Sequence, residues 1–130
     1  MPSPPVVMVV DDDEDIRFLI TRLMRNEGYE VLEAATATEA KLATLKKTPE
    51  LILMDISMPD ADGLSAIWDL REQNETAHVP VVIVSAFDAF DLRAEATAAG
   101  CAGYLTKPVD IEELKRLVRR ILENPGDACA

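Results

Sequence analysis

Five residues of reactive type stand where short apolar runs stop. Asp11 and Asp12 follow VVMVV, Asp55 follows LILM, Ser85 follows VVIV, and Lys107 follows GYLT. Carboxylates held close together repel one another, and a cation relieves that repulsion. Few carboxylates, all oxygen, with room left for water and a phosphoryl group, suit Mg2+ better than the fuller cage that Ca2+ takes. Asp11 and Asp12, beside Asp55, therefore read as a metal site. The next acids, Asp13, Glu14 and Asp15, read instead as complements to the positive end of the helix that follows. Lys107 on its own reads as a solvated lysine. Beside a carboxylate–metal site it offers a fixed positive charge to an anionic ligand such as phosphate. Pro108 allows a cis bond that would turn this lysine inward. The Ser85 hydroxyl can donate to the same phosphoryl oxygen. The set carries the reading, and no member does so alone.

These residues converge only if the runs before them are parallel strands of one sheet. Val6–Val10, 29–34, Leu51–Met54, 79–84 and Gly103–Thr106 read as strands. Helical stripes alternate with them. Ile16, Leu19, Ile20, Leu23 and Met24 recur at three- and four-residue steps up to Gly28, a C-cap residue. Leu42 and Leu45, backed by alanines, mark a weaker helix over 37–47. Leu64, Ile67 and Leu70 form the inner side of a helix over 63–74. Asp88 caps a helix over 88–99, poor in large apolar residues and stopped by Gly100. Leu114, Leu117, Val118, Ile121 and Leu122 make the stripe of the last helix, Ile111–Glu123. Continuously apolar strands paired with helices predict an α/β fold, a doubly wound parallel sheet covered on both faces. Ligands of such sheets bind beyond the carboxyl ends of the strands. Four of the five strands deliver a reactive group there. The second delivers Glu33 and Ala34, set aside because an edge strand need not reach the site.

Composition narrows the partners. The chain has 130 residues, 48% hydrophobic and 28% charged, which is one ordinary domain with a real core. No apolar run approaches the roughly 20 residues of a membrane span. No basic segment leads into a long apolar stretch at the N-terminus, so no secretory signal is expected and a cytoplasmic protein is. Thirteen Lys and Arg against 24 Asp and Glu give a net charge of −11. That balance disfavours direct nucleic-acid binding and suits a cation or a partner with a basic face. Cys101 and Cys129 lack metal-ligand spacing with His78 and read as free thiols. Residues 1–5 and 124–130 read as tails around a domain over 6–123, the second also as the stub of a linker.

Taken in order, VVDDDED, LILMDISMPDADG, VIVSA and GYLTKP resemble a response-regulator receiver domain of two-component phosphorelay signalling, over about residues 6–122. The resemblance implies a flavodoxin-like (βα)5 three-layer sandwich with strand order 2-1-3-4-5. It implies that Asp55 is the phosphoacceptor, served by a sensor histidine kinase or a phosphotransfer protein. Asp12 would bind Mg2+ directly, with Asp11 nearby and often acting through water, and the backbone carbonyl of Ser57 would complete the ligands. Ser85 and Lys107 would hold the phosphoryl group, and Tyr104 would be the switch aromatic. Met58, Pro59 and Gly63 match the loop after the acceptor. Ser57 and Phe87 would flank the path of hydrolytic water and tune the lifetime of the phosphoryl group.

A receiver is a signalling switch rather than an enzyme, although it takes part in its own phosphoryl transfer and dephosphorylation. Its output face is expected on the 88–99 helix, the fifth strand and the last helix, where it would meet a downstream protein target. The phosphorylated form would be a monomer or a phosphorylation-linked dimer. A stand-alone protein is the first expectation; a receiver cut from a larger regulator or hybrid kinase is the alternative. An aspartate-nucleophile phosphatase is a weaker rival, because it needs a second acid two residues after the nucleophile, where Ser57 stands. A flavodoxin-like electron carrier would set a flavin phosphate against DDDED, which repels it.

Overall fold

The computed structural model describes residues 3–55, 63–73, 76–85, 98 and 101–123, with backbone alone for 63–66. Within them the apolar runs form β1 (Val6–Val10), β2 (Glu30–Ala34), β3 (Leu51–Met54), β4 (Val81–Ser85) and β5 (Gly103–Thr106). The strands make one parallel sheet in the order β2-β1-β3-β4-β5. Successive side chains of a strand go to opposite faces, so each strand serves two cores. Met8, Val10, Ile52, Met54 and Ile83 face one side; Val7, Val9, Leu53, Val82 and Val84 face the other. This is why the inner strands β1, β3 and β4 are buried throughout rather than alternating.

Helices fill both sides. Helix α1 (Glu14–Asn26) and helix α4 (Ile111–Glu123) cover one face, through Ile20 and Met24 and through Leu114, Val118 and Ile121. Helix α2 (Ala37–Lys46) and helix α3 (Gly63–Glu72) cover the other, through Ala40 and through Ile67 and Leu70. Each large side chain buried this way contributes about 1.5–3 kcal/mol. Asp13 is the N-cap of α1, its side chain accepting from the amides of Asp15 at 3.0 Å and Ile16 at 3.2 Å. Gly28 ends the turn after α1 with φ +94°, a conformation that a side chain resists.

Several boundaries and faces differ from the sequence reading. Strand β2 starts at Glu30 because the Tyr29 amide donates to the Met24 carbonyl and so closes the helix instead. Strand β4 starts at Val81 because Val79 donates to Thr76 in a turn and Pro80 has no amide hydrogen. Leu19 is 49% exposed, Leu42 55% and Leu45 70%, so none of the three is a core residue. Leu19 lies at the rim of the α1 stripe. In α2 the phase is reversed: Ala40 and Thr44 face the sheet, with Ala37 and Ala43 leaning on the same core, and small residues line the inner side. The helix expected over 88–99 lies outside the described residues apart from 98, as does the segment 124–130. Among the described residues no helix is long and apolar enough to cross a membrane.

Candidate functional site

Parallel strands end at one edge of the sheet, and the adjacent inner strands β1 and β3 carry the acids there. The ladder runs one step past β1 and β3: the Asp11 amide donates to the Ala34 carbonyl at 3.1 Å, and the Asp55 amide to the Val10 carbonyl at 2.9 Å. Continuing the ladder buries both residues, leaving Asp11 2% exposed and Asp55 5%. Asp12 is exposed at their rim. One carboxylate oxygen from each of Asp11, Asp12 and Asp55 lies within 4.8 Å of the others.

Lys107 leaves the end of β5 and returns over this edge. Its backbone amide donates to the Ser85 carbonyl at 2.7 Å, and the Lys107–Pro108 bond is cis, as anticipated. The Nζ donates to Asp11 Oδ2 at 3.0 Å and reaches Asp55 Oδ2 at 3.4 Å, on a side chain only 15% exposed. Burial pulls the lysine pKa down, but the hydrogen bond to Asp11 and the charges of Asp11 and Asp55 together outweigh it. The net effect holds the ammonium above its ordinary 10.5. Among the described residues, the cluster's three carboxylates against one ammonium leave two negative charges, the number that a divalent cation neutralises. Oxygen donors from separate strand ends, one of them open to solvent, fit Mg2+ with its retained waters.

The other expected residues take varied places. Ser85 is fully buried at the end of β4, beside Thr106 in the register of β5. Tyr104 sits on β5 opposite Ile83, half-buried against the core under α2 and α3. Ser57 and Phe87, with Met58 and Pro59, lie outside the described residues. Glu33 of the edge strand, set aside above, is not among the clustered acids; it meets them through Arg17, its Oε1 lying 3.4 Å from Arg17 Nε while Arg17 Nη1 donates to the Asp11 carbonyl at 2.9 Å.

Comparison with known proteins agrees with the geometry. The family model of the response regulator receiver domain matches residues 7–119. The transcriptional regulatory protein PrrA of Mycobacterium tuberculosis is 37% identical over 124 residues, covering 95% of this chain and 52% of PrrA. The chain thus spans about half the length of that relative. The receiver domain of the Francisella response regulator 1452 superposes with a TM-score of 0.86 at 33% identity, covering 93% of this chain and 98% of that one. The chemotaxis protein CheY4 of Vibrio cholerae gives a TM-score of 0.86 at 28% identity, with coverages of 91% and 98%. Family, sheet order and acidic edge coincide in one molecule, and receivers of this kind are signalling switches that work with histidine kinases and bind Mg2+ at an acidic pocket. The chain belongs to the response-regulator receiver domain family.

Proposed function

We propose that residues 6–123 form a phosphoacceptor switch in which Asp55 takes a phosphoryl group from a phosphohistidine. An Asp55 carboxylate oxygen attacks phosphorus and the phosphorus–nitrogen bond of the donor breaks. The donor ring, protonated at its other nitrogen, keeps that electron pair and leaves as neutral imidazole. Phosphoryl transfer asks a protein mainly for positioning and charge. Lys107 supplies a fixed positive charge beside Asp55, and Ser85 a hydroxyl at the next strand end. Asp11, Asp12, Asp55 and the Ser57 carbonyl would hold Mg2+, which when bound offsets the charge of the carboxylates and the phosphoryl oxygens. The observation that carries the reading is the convergence of three carboxylates within 4.8 Å of one another under one lysine.

Signalling then follows from differential affinity of two conformations for the phosphoryl group. Added charge at Asp55 draws Ser85, Tyr104 fills the space it leaves, and the surface around β5, α4 and the 88–99 segment changes for a protein partner. A bulky Phe87, with Ser57, slows the approach of water to the acyl phosphate. The domain works in the cytoplasm and through proteins, since a chain with a net charge of −11 does not favour a grip on nucleic acid. The test is incubation with Mg2+ and acetyl phosphate or phosphoramidate, read as intact mass. One phosphoryl adduct, absent without Mg2+ and in Asp55→Asn, supports the switch; no adduct with either donor contradicts it. A second reading, a receiver within a longer regulator, is favoured by the 52% coverage of PrrA. An open reading frame continuing past the codon for Ala130 would decide for it.

A further inference from the structure

Four polar groups of Asp11 have partners, and each comes from a different place in the fold. Its amide donates to Ala34 at the end of β2. Its Oδ1 accepts from the Asp13 amide at 2.9 Å, and its Oδ2 from Lys107 at 3.0 Å. Its carbonyl accepts from Arg17 Nη1 at 2.9 Å. That carbonyl belongs to the planar peptide that joins Asp11 to Asp12, so holding it sets where the Asp12 backbone departs. The guanidinium is held in turn. Its side chain is 18% exposed, and Nε lies 3.4 Å from Glu33 Oε1 on β2. Glu33, Arg17 and Asp11 therefore form a strut from the edge strand, through the second turn of α1, to the peptide between two of the clustered acids.

We infer that Arg17 is a positioning residue for the acidic edge, fixing the Asp11–Asp12 peptide and thereby setting the affinity for divalent cation. The inference rests on the proposed reading of that edge as a Mg2+ site. Arg17 need not touch the ion or the phosphoryl group. Its part belongs with the outer partners of metal ligands, whose loss weakens metal binding by about 10–100-fold. A lysine cannot replace it, because one ammonium lacks the planar fork that bonds the carbonyl with one nitrogen and faces Glu33 with another.

The test compares wild type with Arg17→Lys, Arg17→Gln, Glu33→Gln and Arg25→Gln. Mg2+ alone is titrated by calorimetry, Asp13 amide exchange is followed without metal, and adduct formation from acetyl phosphate is measured across Mg2+ concentrations. Both Arg17 variants are expected to bind Mg2+ about tenfold more weakly or worse, and to exchange the Asp13 amide faster. Their half-saturating Mg2+ for adduct formation rises while the rate at saturation stays near wild type. Glu33→Gln shows a smaller effect in the same direction. Arg25→Gln, on the same helix but 4.0 Å from Glu33, leaves all three readings unchanged. Wild-type Mg2+ affinity and Asp13 exchange in both Arg17 variants would overturn the inference. Weakened Mg2+ binding in those variants, with no adduct even in wild type, would keep the strut and defeat the phosphoacceptor reading instead.

Discussion

Lys107 and Asp11, 96 positions apart in sequence, meet as a nearly buried ion pair with Nζ 3.0 Å from Oδ2. The same ammonium reaches Asp55, so one cation stands against two buried carboxylates. In the metal-free protein this lysine offsets part of the charge of the acidic edge.

Replacing Lys107 by Met should therefore destabilise the metal-free protein by roughly 3 kcal/mol, because it removes the ammonium that stands between two buried carboxylates. Saturating Mg2+ should restore much of the loss, since a ligand bound only by the native state stabilises it. Urea denaturation with and without Mg2+ checks both parts. Equal losses in the two conditions would contradict the charge argument.

Asp12→Asn should act in the opposite sense on stability. It removes a charge from the crowded edge without breaking a described hydrogen bond of Asp11 or Asp55, so the melting temperature without metal should hold or rise. Mg2+ affinity should fall by more than about tenfold, the scale on which even outer partners matter. Thermal scans and metal titration of one preparation give the two numbers together.

Away from the site, Thr21 is 3% exposed and its Oγ1 has no hydrogen-bond partner among the described residues. Thr21→Val keeps the shape and removes a desolvated hydroxyl, and should stabilise the protein by about 1 kcal/mol. Chemical denaturation with an unchanged m-value is the expected record. Mg2+ affinity should not move.

Tyr29 predicts an alkaline effect. Burial, and then the charge of Glu27, raise its phenol above the ordinary 10.0, against the opposing pull of Arg119. A raised folded-state value means that the native state holds the proton longer than the unfolded chain. This contribution is fully present below pH 10.0 and is lost as pH rises through the raised value. In Tyr29→Phe that part of the decline should vanish; Lys107 adds a decline of the same sign in both proteins, so the difference between the two pH profiles is the quantity to read.

Much of the site was legible because a parallel sheet turns a list of strand ends into a neighbourhood. Asp11, Asp55 and Lys107 could be placed together from the runs VVMVV, LILM and GYLT, without any knowledge of side-chain direction. Arg17 and Glu33 were not found that way. Their meeting depends on the rotation of α1 against the sheet, and local spacing does not encode it. Helix α2 shows the same limit. Leu42 and Leu45 looked like its inner side, yet the sheet receives Ala40 and Thr44, the small residues on the other face. Hydrophobicity names a face reliably only where a helix has one face to offer, as α4 does with Leu114, Val118 and Ile121.

The central claim concerns one atom group, the Asp55 carboxylate. An acyl phosphate is reduced by borohydride to an alcohol, which turns an aspartyl phosphate into homoserine. Treating the protein with acetyl phosphate and Mg2+, reducing it and sequencing the peptides should find homoserine at position 55 alone. Homoserine at position 11 or 12, or at no position while intact mass shows an adduct, would contradict the account.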